Sequence, residues 1–324
     1  MAARRFPILF ITASRIGDAV LASGLIRALG QEVEAARFTI VASPLTAPLF
    51  AQTPGLARLI VMEKRPLGLH WLGLWRQTVG QNWGLIVDLR GSGLSGFLRR
   101  KRRAVHRAGG PAVHKVVEAA RLLKLEDSPP APLLFTSPEA EARAEILTAG
   151  RGPILAIAPA ANWVGKAWPA ERFGLTARRI LGPGGALEGG RLLVLGGPGD
   201  RDVALALSGV LPRHRLIDMV GVEDLLVCHA ALKRARLFIG GDSGLMHMAA
   251  AAGVPTLGLF GPSDERLYAP WGANTRTIRG SRSFEDIRAQ DPRLNQAICH
   301  MMELKVEPVV AAAEALIAET ESDA

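Results

Sequence analysis

The sequence predicts an α/β protein of two Rossmann-like domains facing each other across a cleft. Its 324 residues exceed the usual size of one domain. Short apolar runs bounded by turn residues alternate with helix-like stretches along the whole chain, the pattern of βαβ units built on a parallel sheet. A proline-rich pause near the middle interrupts the alternation, which then starts again. With 48% hydrophobic and 21% charged residues, each half has enough apolar material for its own core.

The first half opens on the strand-like FPILFIT, followed by the helix-like AVLASGLIRALG. RFTIVAS, the helix-like TAPLFAQT, RLIVME and GLIVDLRG come next. The pause is LEDSPPAPLLFTSP, Leu125–Pro138, whose four prolines can continue neither element. A helix is expected over Glu139–Ala149. The second half then reads PILAIAPA, AERFGLTARRIL, RLLVLGGP, RDVALALSGVL, LIDMVG, VEDLLVCHAAL, RLFIGGD, LMHMAAAAG and TLGLFGP, strand and helix in turn. The terminal VEPVVAAAEALIAET reads as an amphipathic helix after Pro308 that packs back on the body. The expected division is therefore residues 1–138, residues 139–305 and a returning helix over 306–324.

Composition narrows the setting. No run approaches the roughly 20 apolar residues needed to span a bilayer. The start resembles a secretory signal only in its arginines, since its apolar stretch is short and meets Arg15 and Asp18. Two cysteines, Cys228 and Cys299, supply neither a disulfide framework nor a cysteine-rich metal site, which fits a reducing cytoplasm. The net charge is +9, and much of the excess lies in one block, Arg99–Arg107. Such a block suits an anionic partner, or is a solvated helix face or loop.

The most informative stretch is Ala235–Asp264. A buried strand runs into Gly240-Gly241, a tight turn of Asp242, Ser243 and Gly244 follows, and an alanine-rich helix begins there and stops at Gly253. The start of that helix points free N–H groups and the positive end of its dipole at one spot, which favours a phosphate. Alternatively the turn is an ordinary one, with Asp242 or Ser243 capping the helix. His247 on the first helical turn and the second glycine-proline loop, LFGPSD, favour the binding reading. Asp200-Arg201-Asp202 in GGPGDRD has a spacing that could hold a metal, but its place after a Gly-Pro turn favours helix capping.

Asp-Ser-Gly-Leu-x-His, the alanine-rich helix, Gly-x-Pro and then Phe-Gly-Pro-Ser-Asp resemble glycosyltransferase family 9, the ADP-heptose:lipopolysaccharide heptosyltransferases. ILFITASRIGDAVLASGLIRALG and IAPAANWVGKAWPAERF are similar to that family in the same order, as is the tail CHMMELKVEPVVAAAEAL. The resemblance runs from about residue 7 to 320. It implies a GT-B type fold, with an acceptor-binding N-terminal domain and a nucleotide-sugar-binding C-terminal one.

It also implies roles for particular residues. Asp18 is the expected base for the acceptor hydroxyl in an inverting transfer, at the end of the first strand where open α/β sheets place functional groups. Its bland alternative is the N-cap of the following helix. Asn162, Lys166, Asp242, Ser243, Gly244, Leu245 and His247 are expected to line the donor site, with Lys166 on the diphosphate. Lys64, Arg65 and Arg90, at strand ends, are candidates for the acceptor pocket, and the Arg99–Arg107 block for a landing surface on an anionic glycan. No cofactor and no protein-liganded metal are implied, though a magnesium ion can accompany the diphosphate. The implied partners are a nucleotide-sugar donor and a lipopolysaccharide inner-core or similar acceptor. The implied place is the cytoplasm, with peripheral contact at the inner membrane left open.

Two positions depart from the family. Ser243 stands for the more usual threonine and keeps the hydroxyl. Ser23-Gly24 stands where many members carry a proline in the first helix, a change expected to concern the acceptor side. Two other readings compete: a nucleotide-sugar epimerase or hydrolase of the same fold, and a basic nucleic-acid-binding protein. The second is weakened by an aromatic content of only 5%.

Overall fold

The computed structural model describes residues 5–107 and 109–322; Arg4, one of the arginines before the first apolar run, lies outside them. The chain divides between Phe135 and Thr136 into two compact units.

Among the described residues, the first unit carries a five-stranded parallel sheet built from β1 (Phe6–Ile11), β2 (Ala36–Ala42), β3 (Leu56–Val61), β4 (Trp83–Asp88) and β5 (Arg100–Val105). The strand order is β3-β2-β1-β4-β5. Its helices are α1 (Ile16–Leu21), α2 (Gly24–Glu32), α3 (Leu69–Thr78) and α4 (Lys115–Ala120). Ile8, Leu9, Phe10 and Ile11 on β1 are all 0% exposed. Such an unbroken buried run is what a central parallel strand covered on both faces requires. Each of these side chains contributes about 1.5–3 kcal/mol by leaving water.

The stretch AVLASGLIRALG is not one helix. It breaks at Ala22-Ser23 into α1 and α2, and α1 begins at Ile16, ahead of the expected start. The break is where the proline-rich segment docks. Ser23 Oγ donates to Val20 O (2.7 Å) and accepts from Leu133 N (2.9 Å). A Cβ on Gly24 would lie 2.3 Å from Pro130 O and 2.5 Å from Ala131 O. Ser23 and Gly24 are thus both in contact with the proline-rich segment at this break. Gly24→Ala must push carbonyl oxygens aside and is expected to destabilise the protein by about 1–3 kcal/mol, measurable by urea unfolding.

The middle of the basic block is neither helix nor loop. Residues Arg100–Val105 form β5, paired in parallel with β4 on one side only. Arginine and lysine on an unpaired edge discourage further strand addition. TAPLFAQT condenses to a single 3₁₀ turn, Ala47–Phe50.

The second unit has a six-stranded parallel sheet, among the described residues: β6 (Ile154–Ala158), β7 (Arg191–Val194), β8 (Leu216–Asp218), β9 (Leu237–Gly241), β10 (Thr256–Phe260) and β11 (Thr275–Arg279), in the order β11-β10-β9-β6-β7-β8. Its helices are α5 (Pro138–Leu147), α6 (Ala170–Leu181), α7 (Arg201–Leu205), α8 (Leu225–Leu232), α9 (Gly244–Ala251), α10 (Glu265–Tyr268), α11 (Phe284–Gln290) and α12 (Val306–Ser322). α12 starts two residues before Pro308, whose missing N–H is harmless in a first turn. Its Val309, Ala313, Leu316 and Ile317 join Phe173, Ala177 and Ile180 of α6 in one core. Arg236 holds the far end of α12 through Ile317 O and Thr320 Oγ1, both at 2.8 Å.

Both sheets reverse strand order once, between β1 and β4 and between β6 and β9. Open α/β sheets bind ligands outside the carboxyl ends of the strands at such reversals. The segments that follow β1, β4, β6 and β9 are the ones that carry Asp18, Arg90, Lys166 and Asp242.

Candidate functional site

In the second unit, β9 ends on Gly241 and the chain turns through Asp242 into Ser243, the N-cap of α9, whose Oγ accepts from Met246 N at 3.4 Å. Ser243 therefore does cap the helix, while Asp242 is engaged elsewhere. Lys166 Nζ donates to Asp242 Oδ2 at 2.6 Å, and Ser263 Oγ donates to the same oxygen at 2.6 Å. His247 Nε2 lies 3.6 Å from Asp242 Oδ1. Three loops, after β6, β9 and β10, thus meet on one carboxylate at the strand-order reversal. Burial pushes that carboxyl up, but the His247 and Lys166 contacts outweigh it and hold Asp242 well below the usual carboxylate range.

The ammonium of Lys166 has three donors, and Asp242 occupies one of them. The N–H groups of Gly244 and Leu245 lie in the first turn of α9, ahead of the first intrahelical bond, where the positive end of the helix dipole adds to Lys166. With the Lys166 charge balanced by Asp242, these N–H donors and the positive helix end form a donor-rich corner suited to a diphosphate. His247, beside Asp242, is only 3% exposed. Asn162 stands exposed on the loop that carries Lys166, outside the hydrogen-bonded cluster.

That loop is fixed by the tail segment 299–304, a contact the sequence did not assign. His300 N donates to Gly165 O at 3.1 Å, Cys299 Sγ to Ala167 O at 3.1 Å, and Trp168 Nε1 to Leu304 O at 2.9 Å. The Trp163 ring covers Gly165 so closely that a Cβ there would sit 2.4 Å from it. Ser263 belongs to the LFGPSD loop, whose Phe-Gly-Pro-Ser-Asp motif contains it without assigning it a role. Arg279 secures the loop by donating to Ser263 O (2.9 Å) and Gly261 O (3.0 Å). In GGPGDRD, Asp200 Oδ2 accepts from Gly197 N at 2.7 Å and Arg201 pairs with Asp218, so both close local structure.

In the first unit, Asp18 is half-buried within the first turn of α1. The N-cap is Arg15, so the capping alternative for Asp18 does not hold. Arg90 Nε donates to Thr12 O at 2.8 Å, joining the β4 loop to the β1 loop that leads to Asp18. The β4 loop is itself shaped by Asp88, 0% exposed, which accepts from Arg90 N, Ser92 N and Ser92 Oγ. Burial lowers the pKa of the Arg90 guanidinium, with Asp88 opposing. Among the described residues its Nη2 is enclosed without a hydrogen-bond partner. Lys64 and Arg65 are exposed beyond the end of β3, an edge strand that β2 separates from β1. A further ionisable group was not anticipated: His106 Nε2 meets Glu118 Oε1 at 2.6 Å, and Lys115 meets the other carboxylate oxygen. It stands at the end of β5 and on α4, which packs against α1.

Against known proteins, residues 77–296 match the family described as glycosyltransferase family 9 (heptosyltransferase). Lipooligosaccharide heptosyltransferase 2 of Haemophilus ducreyi is 26% identical over 314 residues, spanning 84% of this chain and 88% of its own. Lipopolysaccharide heptosyltransferase 2 of Salmonella typhimurium is 22% identical, spanning 88% and 91%. Among solved structures, a family 9 glycosyltransferase from Veillonella parvula superposes with a TM-score of 0.80 at 20% identity, covering 98% of this chain and 99% of that one. E. coli ADP-heptose LPS heptosyltransferase II gives 0.76 at 18% identity, covering 98% and 100%. The fold is the GT-B type, two Rossmann-like units in one chain.

Proposed function

The chain belongs to glycosyltransferase family 9, the heptosyltransferase family, and from that we propose that it transfers heptose from ADP-heptose to a hydroxyl of an anionic lipopolysaccharide inner-core acceptor, with inversion. The observation that carries the reading is the convergence of Lys166, Asp242 and Ser263 at the head of α9, a donor-rich corner on the sheet's reversal point that would suit an anion. Structures of a fold neighbour, E. coli WaaC, are described with ADP and with ADP-2-deoxy-2-fluoro heptose.

In the proposed reaction, Asp18 takes the acceptor hydroxyl's proton as its oxygen attacks the anomeric carbon. The bond from that carbon to the β-phosphate oxygen breaks, and ADP leaves with the electron pair. The charge that builds on the departing diphosphate falls on the free donors of Lys166 and on the Gly244 and Leu245 amides. Asn162 and Ser243 are assigned to the donor, with Asp242 and His247 orienting Lys166. Arg90 is assigned to acceptor carboxylate or phosphate, with Lys64 and Arg65 at its margin. The proposal assigns no resident metal, and a magnesium ion carried by the diphosphate would add positive charge beside these groups.

The test is ADP release from ADP-heptose with and without a truncated lipopolysaccharide core. Release that requires the acceptor, with a heptosylated product, is expected. Rapid consumption of donor alone would indicate an epimerase or hydrolase and overturn the reading. Family membership gives no support to the nucleic-acid alternative.

A further inference from the structure

The segment between β3 and α3 presents apolar side chains outward. Leu67 is 96% exposed, and its backbone is left-handed, with φ of 53°, a conformation a leucine rarely adopts. Leu69 and Leu72, one turn apart on α3, are 52% and 45% exposed, and Arg76 continues the same stripe four residues on. The turn at Leu94–Phe97 adjoins this helix, since Trp75 Nε1 donates to Phe97 O at 3.3 Å, and Phe97 is itself 77% exposed. Cations flank that turn. Arg100 Nη1 donates to Leu98 O at 2.8 Å, and the Arg103 guanidinium lies 3.8 Å from the Cβ position of Gly96. Residues 63–76 and 94–103 together hold eight lysines and arginines against a single carboxylate, Glu63.

We infer that this face of the first unit, led by Leu67, Leu72 and Phe97 and rimmed by the β5 cations, docks the protein on an anionic lipid bilayer. Apolar side chains that insert at the headgroup level, backed by lysine and arginine, are the combination that binds a charged membrane interface. A second copy of the chain fits less well, because a two-fold contact would set this cationic rim against itself. The inference rests on the transferase reading only for its purpose, access to a lipid-borne acceptor.

The test is sedimentation of the full chain with phosphatidylethanolamine/phosphatidylglycerol vesicles and with phosphatidylcholine vesicles, at low and high salt. Binding to the anionic vesicles that weakens with salt is expected, and the triple variant Leu67→Ser/Leu72→Ser/Phe97→Ser should lower the bound fraction roughly tenfold or more. The variant's thermal shift with ADP should match the wild type. Should the triple variant fail to fold, Leu67→Ser alone repeats the comparison at a position without packing. The inference is overturned if the wild type ignores anionic vesicles, if the variants bind equally well, or if the wild type is a dimer that the substitutions dissolve. Vesicle binding as described, in an enzyme that transfers no heptose, would uphold the surface and refute the proposed reaction.

Discussion

Asp18→Asn is expected to lower kcat by about 10²–10⁴-fold, the contribution of a positioned general base, while the affinity for ADP stays near that of the wild type. The amide keeps the shape of the carboxylate but cannot accept the acceptor's proton. Asp18 lies in the first turn of a helix whose N-cap is Arg15, and asparagine has nearly the same size and shape, so the fold should persist. Steady-state ADP release, read beside ADP binding by thermal shift, separates the two effects. A rate within a few-fold of the wild type would remove Asp18 from the chemistry.

Lys166→Ala acts on the donor side, and two losses are expected from it. The departing diphosphate loses its ammonium, which should lower kcat by about 10²–10³-fold, as for other preorganised donors to developing charge. Asp242 also loses its 2.6 Å partner while 11% exposed, keeping Ser263 and His247. Removing one charged partner from such a hydrogen bond costs about 1.5–3 kcal/mol.

A pH signature should distinguish this second loss from general damage. The contacts hold Asp242 below its ordinary pKa, so their stabilisation is present above the unfolded value, about 3.9, and is lost as pH falls through the lower folded value. Without Lys166 the folded-state pKa rises, and acid unfolding should begin at higher pH than in the wild type. Titration followed by circular dichroism measures the difference. Unchanged acid unfolding together with unchanged turnover would place Lys166 outside the site.

How much of this was legible beforehand depends on the distance over which each feature is decided. Asp242, Ser243 and His247 are neighbours in one strand-turn-helix motif, and a single pass along the chain locates them. Ser263 was missed because its contact with Asp242 depends on β10 lying beside β9. The fixing of the Lys166 loop by residues 299–304 is likewise invisible to local pattern. The strand form of the basic block is not legible because arginine and lysine carry no apolar alternation, whereas pairing with β4 is enough to make it a strand.

The sequence by itself determined the α/β class, the break near the Pro-rich segment and the family, since buried runs, turn residues and contiguous motifs are short-range properties. Only the tertiary structure decided the strand orders, the meeting of Lys166 with Asp242 across 76 residues and that of Ser23 with Leu133 across 110. It also showed which apolar side chains are left in water. Those outcomes follow from which strands become neighbours and which surfaces are covered, and a periodic pattern of side chains specifies neither.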